Sequence, residues 1–285
     1  MNENALEIRG LTKAFPGFTL GPLDLTLPSG CILGLIGENG AGKSTTMRLL
    51  LGMLQADGGE ASVLGRRVLG AGAARDDWKA EVGVVLDEPG LPDCMTAAQM
   101  GDMFRCVYPV WDAEAYGAYL ERLGVPKDKP FSALSRGTRM KLCFAAALSH
   151  GARLLLLDEA TSGLDPLVRD EILTILMEFT RDERHAVLIS SHIVSDLEKA
   201  CDYIALLHGG TLLLCDEKDR LLERFGVVRG SAGTLRGIDR TAIRGRRDTN
   251  YGTELLVERA LLPAGQDAAP VSIEDLFLYL AREAG

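Results

Sequence analysis

Four short stretches carry side chains that can do chemistry together. The run Gly37-Glu38-Asn39-Gly40-Ala41-Gly42-Lys43-Ser44-Thr45 matches a phosphate-binding loop at every fixed position. Its glycines let backbone N–H groups close around phosphate oxygens with no Cβ in the way. Lys43 is spaced to reach β- and γ-phosphates, and the Ser44 hydroxyl to ligate Mg2+. The run Leu154-Leu155-Leu156-Leu157-Asp158-Glu159 is an apolar strand ending on two carboxylates. Asp158 is placed to hold Mg2+, and Glu159 to take the proton from a water attacking a γ-phosphate. Alone, such a pair is more often a solvated strand end; the phosphate loop upstream favours the chemical reading. Leu134-Ser135-Arg136-Gly137-Thr138 precedes an apolar helical pattern. A Ser and a Gly there make either a second anion site or an ordinary helix cap, and the pentapeptide alone does not choose. Ser190-Ser191-His192 follows an apolar run, so His192 falls where an α/β sheet opens its ligand crevice.

These side chains need a scaffold, and the apolar pattern supplies one. Residues 31–36 read as a buried strand, and residues 46–52 carry apolar side chains at helical spacing with a closing glycine. Strand, glycine loop, helix is the context a phosphate loop requires, and the helix N-terminus adds positive potential at the anion. Residues 5–36 read as short strands, with alternation at 6–9 and 23–27, and residues 82–86 as a further buried strand. Residues 88–150 turn helical, with stripes at 96–108, 113–123 and 139–150 punctuated by Pro109, Gly124, Pro126 and Pro130. Strand and helix then alternate through 154–157, 167–180, 186–190, 193–200 and 203–207. That order predicts a parallel sheet covered by helices, interrupted by a helical insertion. Beyond about residue 216 the spacing predicts a short helix at 217–225, strands and turns over 227–262 and a closing helix at 273–281.

Composition narrows the function. The 285 residues are 47% hydrophobic and 25% charged, enough to bury a sizeable core. A net charge of −9 argues against a nucleic-acid partner gripped through a broad basic surface. None of the six cysteines forms a CxxC pair and most lie in apolar stretches, which predicts buried thiols in a reducing compartment. The first residues lack the basic and apolar segments of a signal peptide. No apolar run approaches the roughly 20 residues that cross a bilayer, so any work at a membrane needs another chain to hold this one there.

In order and spacing these motifs resemble the ATP-binding cassette (ABC) family over residues 5–215. The resemblance implies an α/β fold: a P-loop NTPase (RecA-like) core with an antiparallel β subdomain, a helical insertion at about 88–150 and a small C-terminal α+β extension. The ATPase domain would be residues 1–215 and the extension 216–285. The cofactors implied are ATP and Mg2+. Nucleotide would be held by Gly37, Glu38, Asn39, Gly40, Ala41, Gly42, Lys43, Ser44 and Thr45, with Phe15 stacking on adenine and Phe18 as the substitute. Ser44, Asp158 and Asp87 would hold the metal; Glu159, His192 and Lys43 would be catalytic. Ser135 and Gly137 of the signature loop and Asp165, in Ser162-Gly163-Leu164-Asp165, would close on a nucleotide across a head-to-tail dimer with a second ATPase subunit. The other partner implied is an integral membrane permease docked near residues 88–131, with the protein cytoplasmic and peripheral on the inner face of the membrane.

Two positions depart from the family. Asp87 stands where Gln is usual, and Arg136 replaces the first signature glycine. Asp87 is expected to bind Mg2+ strongly and, without it, to repel phosphate. Arg136 either obstructs the opposite nucleotide or adds a contact to it. Together with Tyr108-Pro109-Val110-Trp111-Asp112 and Ser272-Ile273-Glu274-Asp275-Leu276-Phe277, these features resemble the ATPase subunits of bacterial exporters of the YtrB and bacitracin type. The alternatives are a soluble non-transport ABC ATPase, a regulatory cassette that binds ATP without turning it over, and a P-loop kinase or GTPase. No guanine-specificity motif supports the last. The Met95, Met100, Met103 and Phe104 set reads chiefly as core, and Arg244-Gly245-Arg246-Arg247 as a solvated turn, with lipid headgroups a weaker alternative.

Overall fold

Strand β1 (Asn4–Phe15) pairs antiparallel with β2 (Phe18–Pro28), and the alternation read in the sequence decides which side chains they bury. Leu6 and Ile8 of β1 and Leu23, Leu25 and Leu27 of β2 are buried, while Arg9, Asp24 and Thr26 are exposed. A computed structural model describes residues 4–73, 76–230, 235, 237–249, 252–263 and 265–284. Strands β4 (Gly58–Val63) and β5 (Arg66–Leu69) complete this sheet in the order β2-β1-β4-β5.

The central sheet contains β3 (Ile32–Gly37), β6 (Val82–Val85), β7 (Leu154–Asp158), β8 (Ala186–Ser191), β9 (Tyr203–His208) and β10 (Thr211–Glu217). Their order is β10-β9-β3-β8-β7-β6, parallel except for the antiparallel edge strand β10. Every residue of β3, β7 and β8 is buried, as strands covered on both faces must be. Leu154 and Leu156 face the β1–β2 side with Met47 and Leu50 of α1 (Lys43–Leu50). Leu155 and Leu157 face the opposite core with Phe144, Ile172 and Leu197. One strand thus ties two cores together, each fully buried leucine contributing about 2 kcal/mol.

The insertion forms α2 (Ala97–Val107), α3 (Ala113–Arg122) and α4 (Arg136–Ala147). Thr96 and Gln99 make a reciprocal capping box on α2, and Asp112 caps α3. Met100 and Phe104 are buried, with Met95 and Met103 packed beside them. Phe104, Tyr108 and Trp111 form an aromatic cluster, and the His150 ring stacks on Tyr108 at 4.0 Å. Helices α5 (Pro166–Phe179) and α6 (Val194–Ala200) lie in the core on the same face of the sheet.

After α7 (Lys218–Arg224) come β11 (Phe225–Gly230), β12 (Ile243–Thr249) and β13 (Gly252–Glu258), ordered β11-β13-β12, then α8 (Ile273–Ala284). Helix α8 buries Ile273, Leu276 and Tyr279, and packs on β12, α6 and β9.

The structure corrects two expectations. The basic run is not a turn but part of β12, and each of its arginines has an acidic neighbour. Arg244 pairs with Glu258 at 2.7 Å, Arg246 with Asp248 at 3.0 Å, and Arg247 with both Glu254 at 2.5 Å and Asp275 at 3.2 Å. Nor are all the thiols buried. Cys143 and Cys201 are, but Cys94 and Cys106 are exposed, Cys106 because it lies on the outward face of α2. Among the described residues no helix is long and apolar enough to cross a membrane.

Glu254 is the hub of the C-terminal sheet. Burial alone would raise its pKa, but hydrogen bonds donated by Arg247, Arg229 and Tyr279 outweigh it and hold the carboxyl at about 2. A carboxylate whose pKa is depressed by folding stabilises the fold above its unfolded titration range and loses that effect as pH falls towards about 2. Glu254→Gln is therefore expected to lower the Tm by a few degrees at pH 7, from a loss of about 1–3 kcal/mol. The difference from wild type should vanish in acid, as followed by thermal melts between neutral and strongly acidic pH.

Candidate active site

The phosphate loop hangs between β3 and α1, and local sterics fix its glycines. At Gly42, φ is +110°, and a Cβ there would lie 2.5 Å from Leu20 Cδ1. Gly42 is also the N-cap of α1 and supplies no side-chain cap, so the first amides of the helix are left for a ligand. At Gly37 a Cβ would meet the Leu207 carbonyl oxygen at 2.5 Å, so only glycine lets β3 leave the sheet beside β9.

Lys43 is almost fully buried. Its ammonium donates to the Gly37 carbonyl at 2.7 Å and the Glu38 carbonyl at 3.1 Å, and pairs with Glu159 Oε1 at 3.1 Å. The other Glu159 oxygen, Oε2, lies 2.7 Å from His192 Nδ1. Lys43, Glu159 and His192 thus form one continuous line. Glu159 adopts the left-handed region at φ +50°, a conformation a non-glycine residue holds only when its surroundings impose it. Ser190 does so: its backbone carbonyl accepts from the Glu159 N–H at 3.2 Å and its hydroxyl oxygen accepts from the same N–H at 3.1 Å. The Ser190 hydroxyl in turn donates to Asp158 Oδ1 at 2.7 Å. One serine on β8 therefore orients both carboxylates at the end of β7.

Phe15, Phe18, Glu38, Asn39, Gly40, Gly42, Lys43, Ser44, Thr45, Asp87 and Glu159 line a single open cavity of about 460 Å³, a size suited to a nucleotide. Phe15 and Phe18 stand with ring centroids 6.3 Å apart, so either can offer a face to a base. Gly37 and Ala41 shape the loop from behind, and Asp158 is buried beneath it. Among the described residues no three His, Cys, Asp or Glu side chains cluster as a metal site. The set fits a magnesium ion that takes a serine hydroxyl, one or two carboxylates and phosphate oxygens, and not a dedicated protein cage.

Other expected site residues stand elsewhere. Ser135 is the N-cap of α4, its hydroxyl accepting from the Thr138 N–H at 3.2 Å, so Arg136 and Gly137 begin the helix three residues before its expected start. Asp165 caps α5 through the N–H groups of Leu167 and Val168. Ser135, Gly137 and Asp165 do not line the phosphate-loop cavity of their own chain. Arg136 Nη2 lies 2.5 Å from Asp87 Oδ1, so the two unusual residues are partners. Behind the site, Arg169 pairs with the buried Asp196 at 3.3 Å and donates to the Leu164 carbonyl at 3.2 Å, tying the 162–165 loop to α6. Sequence reasoning missed Ser190, Arg169 and His208, whose Nδ1 is 3.0 Å from Glu38 Oε1. Only Ser190 carried a signal, two residues before His192.

Comparison with known proteins agrees with this geometry. A family model described as ABC transporter matches residues 20–162. The chain belongs to the ABC transporter family. It is 29% identical over 223 residues to the ABC transporter ATP-binding protein YtrB of Bacillus subtilis (strain 168), covering 77% of this chain and 74% of that one. It is 31% identical over 217 residues to the bacitracin transport ATP-binding protein BcrA of Enterococcus faecalis, covering 74% of this chain and 68% of the relative. A solved ATP binding subunit of an ABC transporter shares the fold, with a TM-score of 0.67 and 24% identity over 77% of this chain and 92% of that one. The core is thus the P-loop NTPase fold of an ABC ATPase domain. The resemblance to the YtrB and bacitracin type also holds.

Ser190 braces Asp158 and Glu159 and is not among the residues that line the cavity. Removing such a support typically costs 10–100-fold. Ser190→Ala is expected to lower ATP hydrolysis by about that factor and to lower the melting temperature by a few degrees, because buried Asp158 loses a donor. Steady-state phosphate release alongside a thermal melt checks it.

Proposed function

We propose that this chain is the ATP-binding and ATP-hydrolysing subunit of an exporter and energises a separate membrane permease. The observation that carries the reading is the line Lys43–Glu159–His192, whose first two members line the phosphate-loop cavity. It is the machinery of hydrolysis, and more than binding requires. In the nucleotide-free arrangement Lys43 and Glu159 neutralise each other. Phosphate oxygens entering the loop compete for Lys43 and release Glu159 Oε1. Glu159 then accepts the proton of a water aligned on the γ-phosphate, while His192 Nδ1, held to the other oxygen, fixes the carboxylate and senses the phosphate. Ser44, Asp158 and Asp87 would hold Mg2+, which spreads the developing phosphate charge.

Ser135 and Asp165 are solvent-facing caps and Gly137 lies in the first turn of α4, and a head-to-tail second subunit brings them onto the opposite nucleotide. Hydrolysis turns one bound group into two that repel, and the dimer reopens. The permease docks between the sheet and the insertion. There a small apolar groove of about 150 Å³, lined by Leu86, Pro89, Leu91, Phe104 and Tyr108, opens beside the insertion that carries the exposed Val107 and Val110. Docked in this way, the protein would lie on the inner face of the membrane.

Lys43→Ala is expected to abolish ATP binding or turnover. Glu159→Gln is expected to keep binding, lose roughly 10²–10⁴-fold in turnover and accumulate an ATP-bound dimer, as seen by size-exclusion chromatography. Near-native turnover in Glu159→Gln would refute the base assignment. Tagged Glu159→Gln protein drawn from detergent-solubilised cells with ATP should bring down a polytopic membrane protein. Recovery of soluble partners alone would favour a non-transport ABC ATPase.

A further inference from the structure

The two residues that depart from the family pattern, Asp87 and Arg136, meet. Asp87 lines the phosphate-loop cavity, and it also lines the neighbouring cleft with Arg136. Its Oδ1 is 2.5 Å from Arg136 Nη2. Arg136 is the first residue of α4, and its side chain runs over Gly163. A Cβ built on Gly163 would sit 3.8 Å from both Cδ and Nε of Arg136. One exposed guanidinium thus spans the segment after β6, the start of α4 and the 162–165 loop.

Stability does not explain this placement. A cation at a helix N-terminus opposes the helix dipole, and no acidic residue in the first turn of α4 offsets it. The side chains of Arg136 and Asp87 are 60% and 47% exposed, so the pair is weak and easily exchanged. A weak, exchangeable pair with one member in the nucleotide cavity and the other on the signature loop suits a switch better than a brace.

We propose that Asp87 and Arg136 form an intrachain latch through which the nucleotide cavity of one subunit controls the signature end of α4 in the same subunit. With the cavity empty, Arg136 neutralises Asp87 and is held beside Gly163. When magnesium and nucleotide fill the cavity, Asp87 turns to the metal and Arg136 is freed towards the phosphates of a second subunit. The same pairing offsets the repulsion between Asp87 and metal-free phosphate expected from Asp87 alone. The inference rests on the nucleotide and metal reading above.

The test is calorimetric ATP binding, in EDTA and across a Mg2+ series, with wild type, Arg136→Ala, Asp87→Ala and the double variant. Arg136→Ala is expected to weaken metal-free ATP binding by up to about fivefold, the range of an exposed ion pair, and to lower the Mg2+ needed for half-maximal binding by a similar factor. Both effects should disappear in the Asp87→Ala background, and Arg136→Lys should restore part of each. A pair serving only to brace the fold would shift the melting temperature and leave the Mg2+ midpoint alone. Effects of Arg136→Ala that are absent, or equal in both backgrounds, would overturn the latch. Wild type that binds ATP no better than Lys43→Ala would instead remove the nucleotide reading, and the latch with it.

Discussion

A buried ammonium group is the constraint on which the site depends. Lys43 sits at the start of α1, out of water, where an unpaired cation would be prohibitively costly. It is tolerated because two carbonyls of its own loop and the Glu159 carboxylate surround it. The loop can turn its Gly37 and Glu38 carbonyls inwards because Gly37 and Gly42 have no side chains to collide with Leu207 and Leu20. Glu159 can reach Lys43 because its backbone takes the left-handed region, pinned by Ser190 on the adjacent strand. Sheet order serves the same end. With β3 and β7 flanking β8, the phosphate loop, the two carboxylates and the serine that orients them meet at the carboxyl ends of adjacent parallel strands.

Much of this was legible in the residues, for an identifiable reason. The phosphate loop and the strand ending in Asp158 and Glu159 are local: each is a contiguous run whose chemistry and secondary structure come from neighbours in sequence. The buried strands β3, β7 and β8 show as unbroken apolar runs because helices or a second sheet cover both faces. Strands β4, β5 and β10 left little trace. They are half-exposed and at or near sheet edges, so packing on one side places them and no pattern of their own is needed. The basic run misled because its charges suggested solvent. The acids that satisfy it lie as far as 28 residues away, at Asp275.

The pairing of Asp87 with Arg136 shows the same limit more sharply. Read singly, one substitution threatens the metal site and the other the signature loop. The two residues are 49 positions apart, and only the fold shows that each charge answers the other. Ser190 was hidden differently. A serine inside a fully buried strand looks like a small core residue until the carboxylate above it is seen.

Burial divides the working residues into two classes, and the division follows their tasks. Lys43, Asp158 and Ser190 are buried, and Glu159 nearly so; in the proposed hydrolysis they form a floor that must hold its geometry while charge develops above it. Arg136, Asp165 and His192 are exposed, each at or just before the first turn of a helix, where a small rotation changes what they reach. Two parts of that rim are joined by a half-buried ion pair. Arg169 on α5 pairs with Asp196 on α6 and holds the Leu164 carbonyl, so the loop bearing Asp165 and the helix following His192 move together. Helix α8 packs against that same α6, and Tyr279 of α8 joins Glu254 to the core. The C-terminal sheet is therefore mounted on the helix that follows His192, not hung from a free linker. Packed side chains therefore run without a break from the helix after His192 to the C-terminal sheet.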